Sequence, residues 1–161
     1  MLSPRLDTYK LLPGNLQVLF SATDNALGSD NRTAEPPRVL VVEDDFLVAT
    51  EVETALTEAG FHVAGLAVTA EEAIALAVSE HPALVVMDVR LIGKRDGIDV
   101  AIELFRDHGI RCVFATAHCD PEARKRAAPA DPLGWLQKPY TMASLIEMIG
   151  NSLSDFGGRV R

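Results

Sequence analysis

From residue 38 onward, short apolar runs alternate with longer segments in which apolar residues recur at helical spacing. Short runs of this kind predict buried strands, and the helical spacing predicts amphipathic helices that cover them. The predicted strands are residues 39–42, 61–68, 83–87, 112–116 and 133–137. The predicted helices are residues 46–59, 70–80, 97–108, 121–128 and 142–153.

Strands and helices that alternate in this way predict an α/β fold with a five-stranded parallel sheet, doubly wound. Right-handed crossovers between parallel strands place helices on both faces of such a sheet. Two local patterns support the helix starts: Thr69 and Glu72 have the spacing of a capping box, and Asp120 precedes Pro121 as an N-cap precedes a first helical proline. In open sheets of this class the functional crevice lies beyond the carboxyl ends of the strands.

Residues 1–37 show no sustained period, and their second half is rich in Ser, Asp, Asn, Thr and Pro. This composition is typical of a linker, so residues 1–37 are predicted to be an N-terminal extension. An alternative is that the apolar residues between 11 and 20 form a short element that docks on the domain, and another is that the start codon is misassigned. The folded domain is predicted to span residues 38–154, followed by a tail at 155–161.

Composition excludes several classes of function. The formal net charge of −8 disfavours direct binding of nucleic acid. The two cysteines, Cys112 and Cys119, do not suggest a disulfide framework and lack the spacing typical of zinc sites, so Cys112 is predicted to be a core residue. Because the chain lacks a run of ~20 apolar residues and an uninterrupted signal sequence, we expect a cytoplasmic protein that is not in a membrane.

Polar side chains follow four of the predicted strands at the point where each strand ends. These residues are Glu43, Asp44, Asp45, Asp88, Thr116 and Lys138. Carboxylates that meet at one edge of the sheet repel one another by about 1 kcal/mol per pair in water at 4 Å, and by several times more at lower dielectric. A hard divalent cation such as Mg²⁺ removes this cost, and a lysine and a threonine beside it are suited to phosphate oxygens. The sequence therefore predicts Mg²⁺ and phosphate chemistry at this edge, with Asp45 facing solvent.

The motifs VVEDD, VVMD, FAT and LQKP, in this order and spacing, resemble the receiver domain of two-component response regulators. The resemblance covers residues 38–154. It implies that Asp88 accepts a phosphoryl group from a histidine kinase or a histidine phosphotransfer protein. It also implies that Glu43, Asp44 and Asp88 bind Mg²⁺ together with the backbone carbonyl of Arg90.

The same resemblance assigns roles to residues on the last two strands. Thr116 and Lys138 contact the phosphoryl group, and Thr116 then shifts together with the aromatic residue Trp135. The Lys138–Pro139 peptide bond is expected to be cis. The side chains of Arg90 and His118 border the phosphate, where they would modulate its hydrolysis.

Receivers act by changing their affinity for a protein partner, which predicts a downstream partner on the surface of the fourth helix, fifth strand and fifth helix. Only DFGGRVR follows the fifth predicted helix, so a stand-alone receiver is expected. A phosphate-independent binding module is the alternative. An aspartyl-phosphate phosphatase is disfavoured because Arg90 stands where such enzymes need a second aspartate. The basic residues Arg124, Lys125 and Arg126 are interpreted as a solvated helix face rather than a nucleic-acid site.

Overall fold

The computed structural model describes residues 35–157, with side chains through residue 155. Most of the predicted N-terminal extension, including the alternative docking element, and the last four residues lie outside this range. The strands are β1 (Arg38–Val42), β2 (His62–Ala67), β3 (Leu84–Met87), β4 (Cys112–Thr116) and β5 (Gly134–Gln137). The helices are α1 (Phe46–Glu58), α2 (Ala70–Glu80), α3 (Gly97–His108), α4 (Pro121–Ala127) and α5 (Met142–Gly157), with a 3₁₀ turn at Ala128–Ala130 after α4.

The five strands form one sheet in the order β2-β1-β3-β4-β5, and every pair of neighbours is parallel. One apolar cluster joins the sheet to α2, α3 and α4, and a second joins it to α1 and α5. The predicted doubly wound α/β fold is therefore confirmed. Within residues 35–157, no helix is both long enough and apolar enough to cross a membrane.

Residues of β1 show how the sheet is covered on both faces. Leu40 and Val42 pack in the cluster with α2, α3 and α4, whereas Val39 and Val41 pack in the cluster with α1 and α5. Successive side chains of a strand point to opposite faces, so both sets are buried only if helices lie on both sides. This double burial explains why β1 has a continuous apolar run instead of an alternating pattern.

The predicted caps agree with the structure except in detail. The Thr69 side chain accepts a hydrogen bond from the Glu72 amide at 3.2 Å, but the Glu72 carboxylate accepts from the Val68 amide at 2.9 Å. The Glu72 carboxylate therefore accepts from the amide one residue before Thr69, the N-cap residue whose amide is the usual donor in a capping box. Asp120 caps α4 as predicted, with Pro121 in the first turn. Helix α4 was predicted to end at residue 128 and ends at 127. Helix α5 was predicted to end at residue 153 and continues to 157.

Asp96 joins the start of α3 to α4, a link that the sequence pattern did not predict. Its carboxylate caps α3 by accepting hydrogen bonds from the Ile98 and Asp99 amides, and it pairs with the Arg126 guanidinium at 2.5 Å. Burial alone would raise the pKa of Asp96. The hydrogen bonds from Arg126 and from backbone amides outweigh that effect and hold the pKa below its ordinary value of 3.8. The charged form of Asp96 therefore stabilises the folded state.

Asp96→Ala is expected to lower the free energy of unfolding by about 1–2 kcal/mol at pH 7, because the helix cap and the ion pair are both lost. Asp96→Asn keeps a capping side chain and should cost less. Because the folded-state pKa is depressed, the advantage of wild type over Asp96→Asn is fully present above pH 3.8 and disappears as the pH falls through the lower, folded-state value. Urea unfolding of the three proteins as a function of pH measures both effects, and an unchanged stability of Asp96→Ala would contradict them.

Candidate functional site

The predicted site residues are held at one edge of the sheet by the backbone ladder itself. The Asp88 amide donates to the Val42 carbonyl at 2.9 Å, which extends the β1–β3 pairing by one residue past β3, to Asp88 itself. The Lys138 amide donates to the Thr116 carbonyl at 3.0 Å and extends the β4–β5 pairing in the same direction. Because the strands are parallel, these residues leave the sheet at the same end. The strand-end residues therefore share one edge of the sheet, and the backbone on both sides of it is anchored by hydrogen bonds.

Lys138 connects two carboxylates in this crevice. Its Nζ lies 2.6 Å from Glu43 Oε2 and 3.0 Å from Asp88 Oδ2. The side chains of Glu43 and Asp88 are only 6% and 8% exposed, whereas that of Lys138 is 25% exposed. Burial alone would lower the pKa of Lys138, but the hydrogen bonds to both carboxylates outweigh it and raise the pKa above its ordinary value. Lys138 is thus a charged ammonium that partly neutralises the site.

The positive charge of Lys138 does not fully compensate the negative charge of the three carboxylates near it. Ligand oxygens of Glu43, Asp44 and Asp88 all lie within 4.8 Å of one another. Burial raises the pKa of Glu43, and the negative charge of Asp88 adds to this effect, although the hydrogen bond from Lys138 opposes it. Three carboxylates and one ammonium leave an excess of two negative charges. A set of carboxylate oxygens with this excess charge fits a hard divalent cation such as Mg²⁺.

Thr116 lies fully buried at the end of β4, and its Oγ1 accepts a hydrogen bond from the His118 amide at 3.2 Å. Trp135 on β5 is partly buried, and its ring stacks on the fully buried ring of Phe114 with centroids 4.3 Å apart. The predicted switch pair is thus on adjacent strands. The Lys138–Pro139 bond is cis, as the resemblance implied.

The loop between β3 and α3 lies beside Asp88. The Arg90 amide donates to Asp88 Oδ1 at 3.3 Å, while the Arg90 side chain is exposed. An open pocket of about 350 Å³ lies beside this loop, and its lining includes Arg90, Lys94 and His118. The side chains of Arg90 and His118 therefore line the same pocket, and the acidic cluster is not part of its lining.

Gly97 is a residue of the site that pattern analysis missed. Its amide donates to the Val89 carbonyl at 2.7 Å, and a Cβ built on Gly97 would lie 1.9 Å from the carbonyl oxygen of Asp88. The first turn of α3 can approach the backbone of Asp88 this closely only if residue 97 has no side chain. The Asp-Gly pair at 96–97 was a visible signal, but it equally fits an ordinary turn.

Other predictions are refined by the structure. Asp45 faces solvent as predicted, and it also caps α1 by accepting from the Leu47 amide at 2.9 Å. Cys112 is a fully buried core residue, and burial raises the pKa of its thiol to about 12. The interpretation of the basic helix face was incomplete: the residues are exposed, but Arg126 pairs with Asp96 and Arg124 contacts Trp135.

Comparison with known proteins identifies the family to which this fold and site correspond. Residues 39–150 match the family model of the response regulator receiver domain. The chain is 35% identical over 128 residues to the transcriptional regulatory protein PdtaR of Mycobacterium tuberculosis, and 28% identical over 116 residues to the phyllosphere-induced regulator PhyR of Methylorubrum extorquens. These matches cover 80% and 71% of this chain, but only 62% and 43% of the two relatives.

A solved structure supports the same assignment. The signal receiver domain of a modulated diguanylate cyclase from Desulfovibrio desulfuricans G20 superposes with a TM-score of 0.69 at 31% identity, covering 74% of this chain and 95% of that one. The family match includes the carboxyl ends of all five strands, where the acidic cluster and Lys138 lie. The chain therefore belongs to the response regulator receiver domain family.

Proposed function

We propose that this protein is a phosphoacceptor of a two-component pathway and receives a phosphoryl group on Asp88 from a histidine kinase or a histidine phosphotransfer protein. The observation that carries this proposal is the environment of the Asp88 carboxylate. One of its oxygens accepts from Lys138 Nζ at 3.0 Å and the other from the Arg90 amide at 3.3 Å. Both contacts orient a buried carboxylate at the mouth of a crevice, where a nucleophile is needed.

In the proposed transfer, a carboxylate oxygen of Asp88 forms a bond to phosphorus, and the bond from phosphorus to the donor imidazole nitrogen breaks. The imidazole leaves with that electron pair. Lys138 supplies a positive charge, and the hydroxyl of Thr116 supplies a hydrogen bond donor, to the phosphoryl oxygens as their charge develops. Lys138 is held for this task by Glu43, which contacts the same ammonium at 2.6 Å.

Mg²⁺ is the proposed cofactor. Glu43, Asp44 and Asp88 would hold it, with the backbone carbonyl of Arg90 as the further protein ligand that the family implies. The ion would neutralise the excess negative charge of the site and allow an anionic phosphoryl group to approach. The side chains of Arg90 and His118, at the opening of the pocket, are proposed to modulate hydrolysis of the aspartyl phosphate.

The output is proposed to be a protein–protein interaction on the surface formed by α4, β5 and α5. Thr116 and Trp135 would shift together on phosphorylation and change the affinity of this surface for its partner. Direct nucleic-acid binding is not part of the proposal, because the net charge of −8 opposes it. A cytoplasmic location follows from the proposed kinase partner and is consistent with the free thiols of Cys112 and Cys119.

Enzymatic turnover of small phosphate esters is not proposed. Arg90 stands two residues after Asp88, where an aspartyl-phosphate phosphatase needs a general acid or base. The structure describes an exposed Arg90 side chain, and a guanidinium does not exchange protons near neutral pH. A switch that is phosphorylated and then reset is therefore preferred over a phosphatase.

The proposal is tested by intact-mass spectrometry of the purified chain with Mg²⁺ and two donors, acetyl phosphate and a phosphorylated histidine protein. We expect a gain of one phosphate mass that is lost when EDTA is present during labelling. An unmodified mass with every donor would reject phosphorylation and favour a phosphate-independent binding module. Equal labelling with and without EDTA would reject the proposed role of the metal.

A further inference from the structure

Arg124 on α4 makes two contacts that none of its basic neighbours shares among the described residues. Its guanidinium carbon lies 5.1 Å from the centroid of the Trp135 ring, and its Nε donates to the Cys119 carbonyl at 3.2 Å. The first contact is a cation–π interaction with β5. The second is a charge-assisted hydrogen bond to the loop that follows β4. A single side chain therefore joins β5, which carries Trp135, to the loop that directly follows Thr116.

The loop end of this connection leads directly to Thr116. Cys119 is three residues after Thr116, and its Sγ lies 3.4 Å from the Thr116 carbonyl and 3.9 Å from the Leu136 carbonyl. The His118 amide donates to Thr116 Oγ1. A displacement of Thr116 therefore moves the groups that hold the β4–α4 loop in place. The Cys119 carbonyl, which Arg124 binds, is part of this loop and moves with it.

The Trp135 ring, which Arg124 contacts, packs against the core. Trp135 stacks on Phe114 with an interplanar angle of 21°, and Phe114 is two residues before Thr116 on the same strand. Phe114 is completely buried, so its ring cannot move freely. The Trp135 ring is thus in contact with a fixed ring of β4 and with a guanidinium whose position depends on the loop.

We propose that Arg124 is a coupling residue: it stabilises the conformation in which it contacts both Trp135 and the Cys119 carbonyl, and it releases Trp135 when the β4–α4 loop moves. This inference rests on the proposed phosphorylation of Asp88. A contact shifts an equilibrium only if it differs between the two states, and the Cys119 carbonyl is the part of this contact that a movement of Thr116 changes. Loss of the contact in the phosphorylated state means that Arg124 favours the unphosphorylated one.

Arginine is suited to this role, because its planar guanidinium stacks on a ring while its Nε donates a hydrogen bond. A lysine ammonium is a compact charge and cannot reproduce both contacts in the same geometry. Arg124→Lys should therefore retain only part of the effect, and Arg124→Gln should lose it. Lys125→Gln is the matched control, because Lys125 is an exposed neighbour on the same helix.

Trp135 is the only tryptophan of the chain, so intrinsic fluorescence reports its ring directly. The wild type and the three variants are titrated with beryllium fluoride in the presence of Mg²⁺, and Trp135 emission and acrylamide quenching are recorded before and after loading. For Arg124→Gln we expect stronger quenching of the unloaded protein than in wild type. We also expect a gain in apparent affinity for beryllium fluoride of roughly twofold to fivefold, which corresponds to the loss of an exposed cation–π contact.

Labelling of the same four proteins with acetyl phosphate, followed by mass, separates the possible failures. If wild type gains no phosphate mass, the proposed function fails, and the coupling fails with it. If wild type is labelled but Arg124→Gln matches Lys125→Gln in quenching and in affinity, only the coupling is rejected. If Arg124→Gln shows stronger quenching with unchanged affinity, the contact is merely structural and the coupling is also rejected.

Discussion

Asp88→Asn is expected to reduce phosphate labelling to background with every donor. An amide has no carboxylate oxygen to bond to phosphorus, although it has nearly the same shape as the aspartate. The fold should be retained, because removal of one carboxylate relieves repulsion with Glu43, worth about 1 kcal/mol per pair in water. Lys138 keeps its contact with Glu43 at 2.6 Å. Intact mass measures the labelling, and urea unfolding measures the stability.

Asp107→Asn is the matched control for this prediction. Asp107 pairs with Arg106 on the surface of α3, and it is not part of the acidic cluster. It should be labelled as wild type is. Labelling of Asp88→Asn at the wild-type level would show that another residue accepts the phosphoryl group. Labelling lost in both variants would point to a general effect on the protein instead of the loss of a nucleophile.

Gly97→Ala is expected to lower the free energy of unfolding by about 3 kcal/mol or more, at the upper end of the cost of overpacking. The added methyl group would lie 1.9 Å from the Asp88 carbonyl oxygen and 3.0 Å from the Met87 side chain. A backbone carbonyl at the end of a buried strand cannot rotate aside as a flexible side chain can. The start of α3 must therefore move away from β3, and it pulls on the Val89 carbonyl, which accepts from the Gly97 amide at 2.7 Å directly after Asp88.

This displacement should also slow phosphate labelling at a denaturant concentration and temperature where the variant is folded. Gly150→Ala is the control, because Gly150 lies within α5 and an added Cβ would meet nothing within 4 Å. Alanine has the higher helix propensity, so Gly150→Ala should raise the free energy of unfolding by up to about 1 kcal/mol. Urea unfolding of both variants distinguishes a steric effect from a general loss of a glycine. A Gly97→Ala protein as stable as wild type would exclude the steric account.

Much of the fold was predictable because the relevant signals are local. The apolar runs at 39–42 and 112–116 coincide with strands to within one residue, since a strand covered on both faces must be apolar throughout. The ends of α4 and α5 were predicted less well. The chain from Ala128 to Ala130 tightens into a 3₁₀ turn, and α5 continues four residues past its predicted end. Helix ends depend on packing and capping as much as on periodicity.

The membership of the candidate site was predictable for a related reason. In a parallel sheet the carboxyl ends of all strands lie at the same edge, so the residues that follow the strands are neighbours in space. This rule is sufficient to group Glu43, Asp88 and Lys138 from their positions along the chain. It does not show which partner Lys138 prefers, or that Lys138 contacts both carboxylates at once.

The order of elements, the doubly wound sheet and the residue types at its carboxyl edge follow from the amino-acid sequence, because periodicity, burial and strand direction act over a few residues. The contacts between distant segments, in contrast, are seen only in the folded chain. Arg126 binds Asp96 across 30 residues, Arg124 lies over Trp135, and Gly97 lies against the Asp88 carbonyl. These contacts depend on how far each crossover helix is displaced and rotated on the sheet, and no local pattern contains that geometry.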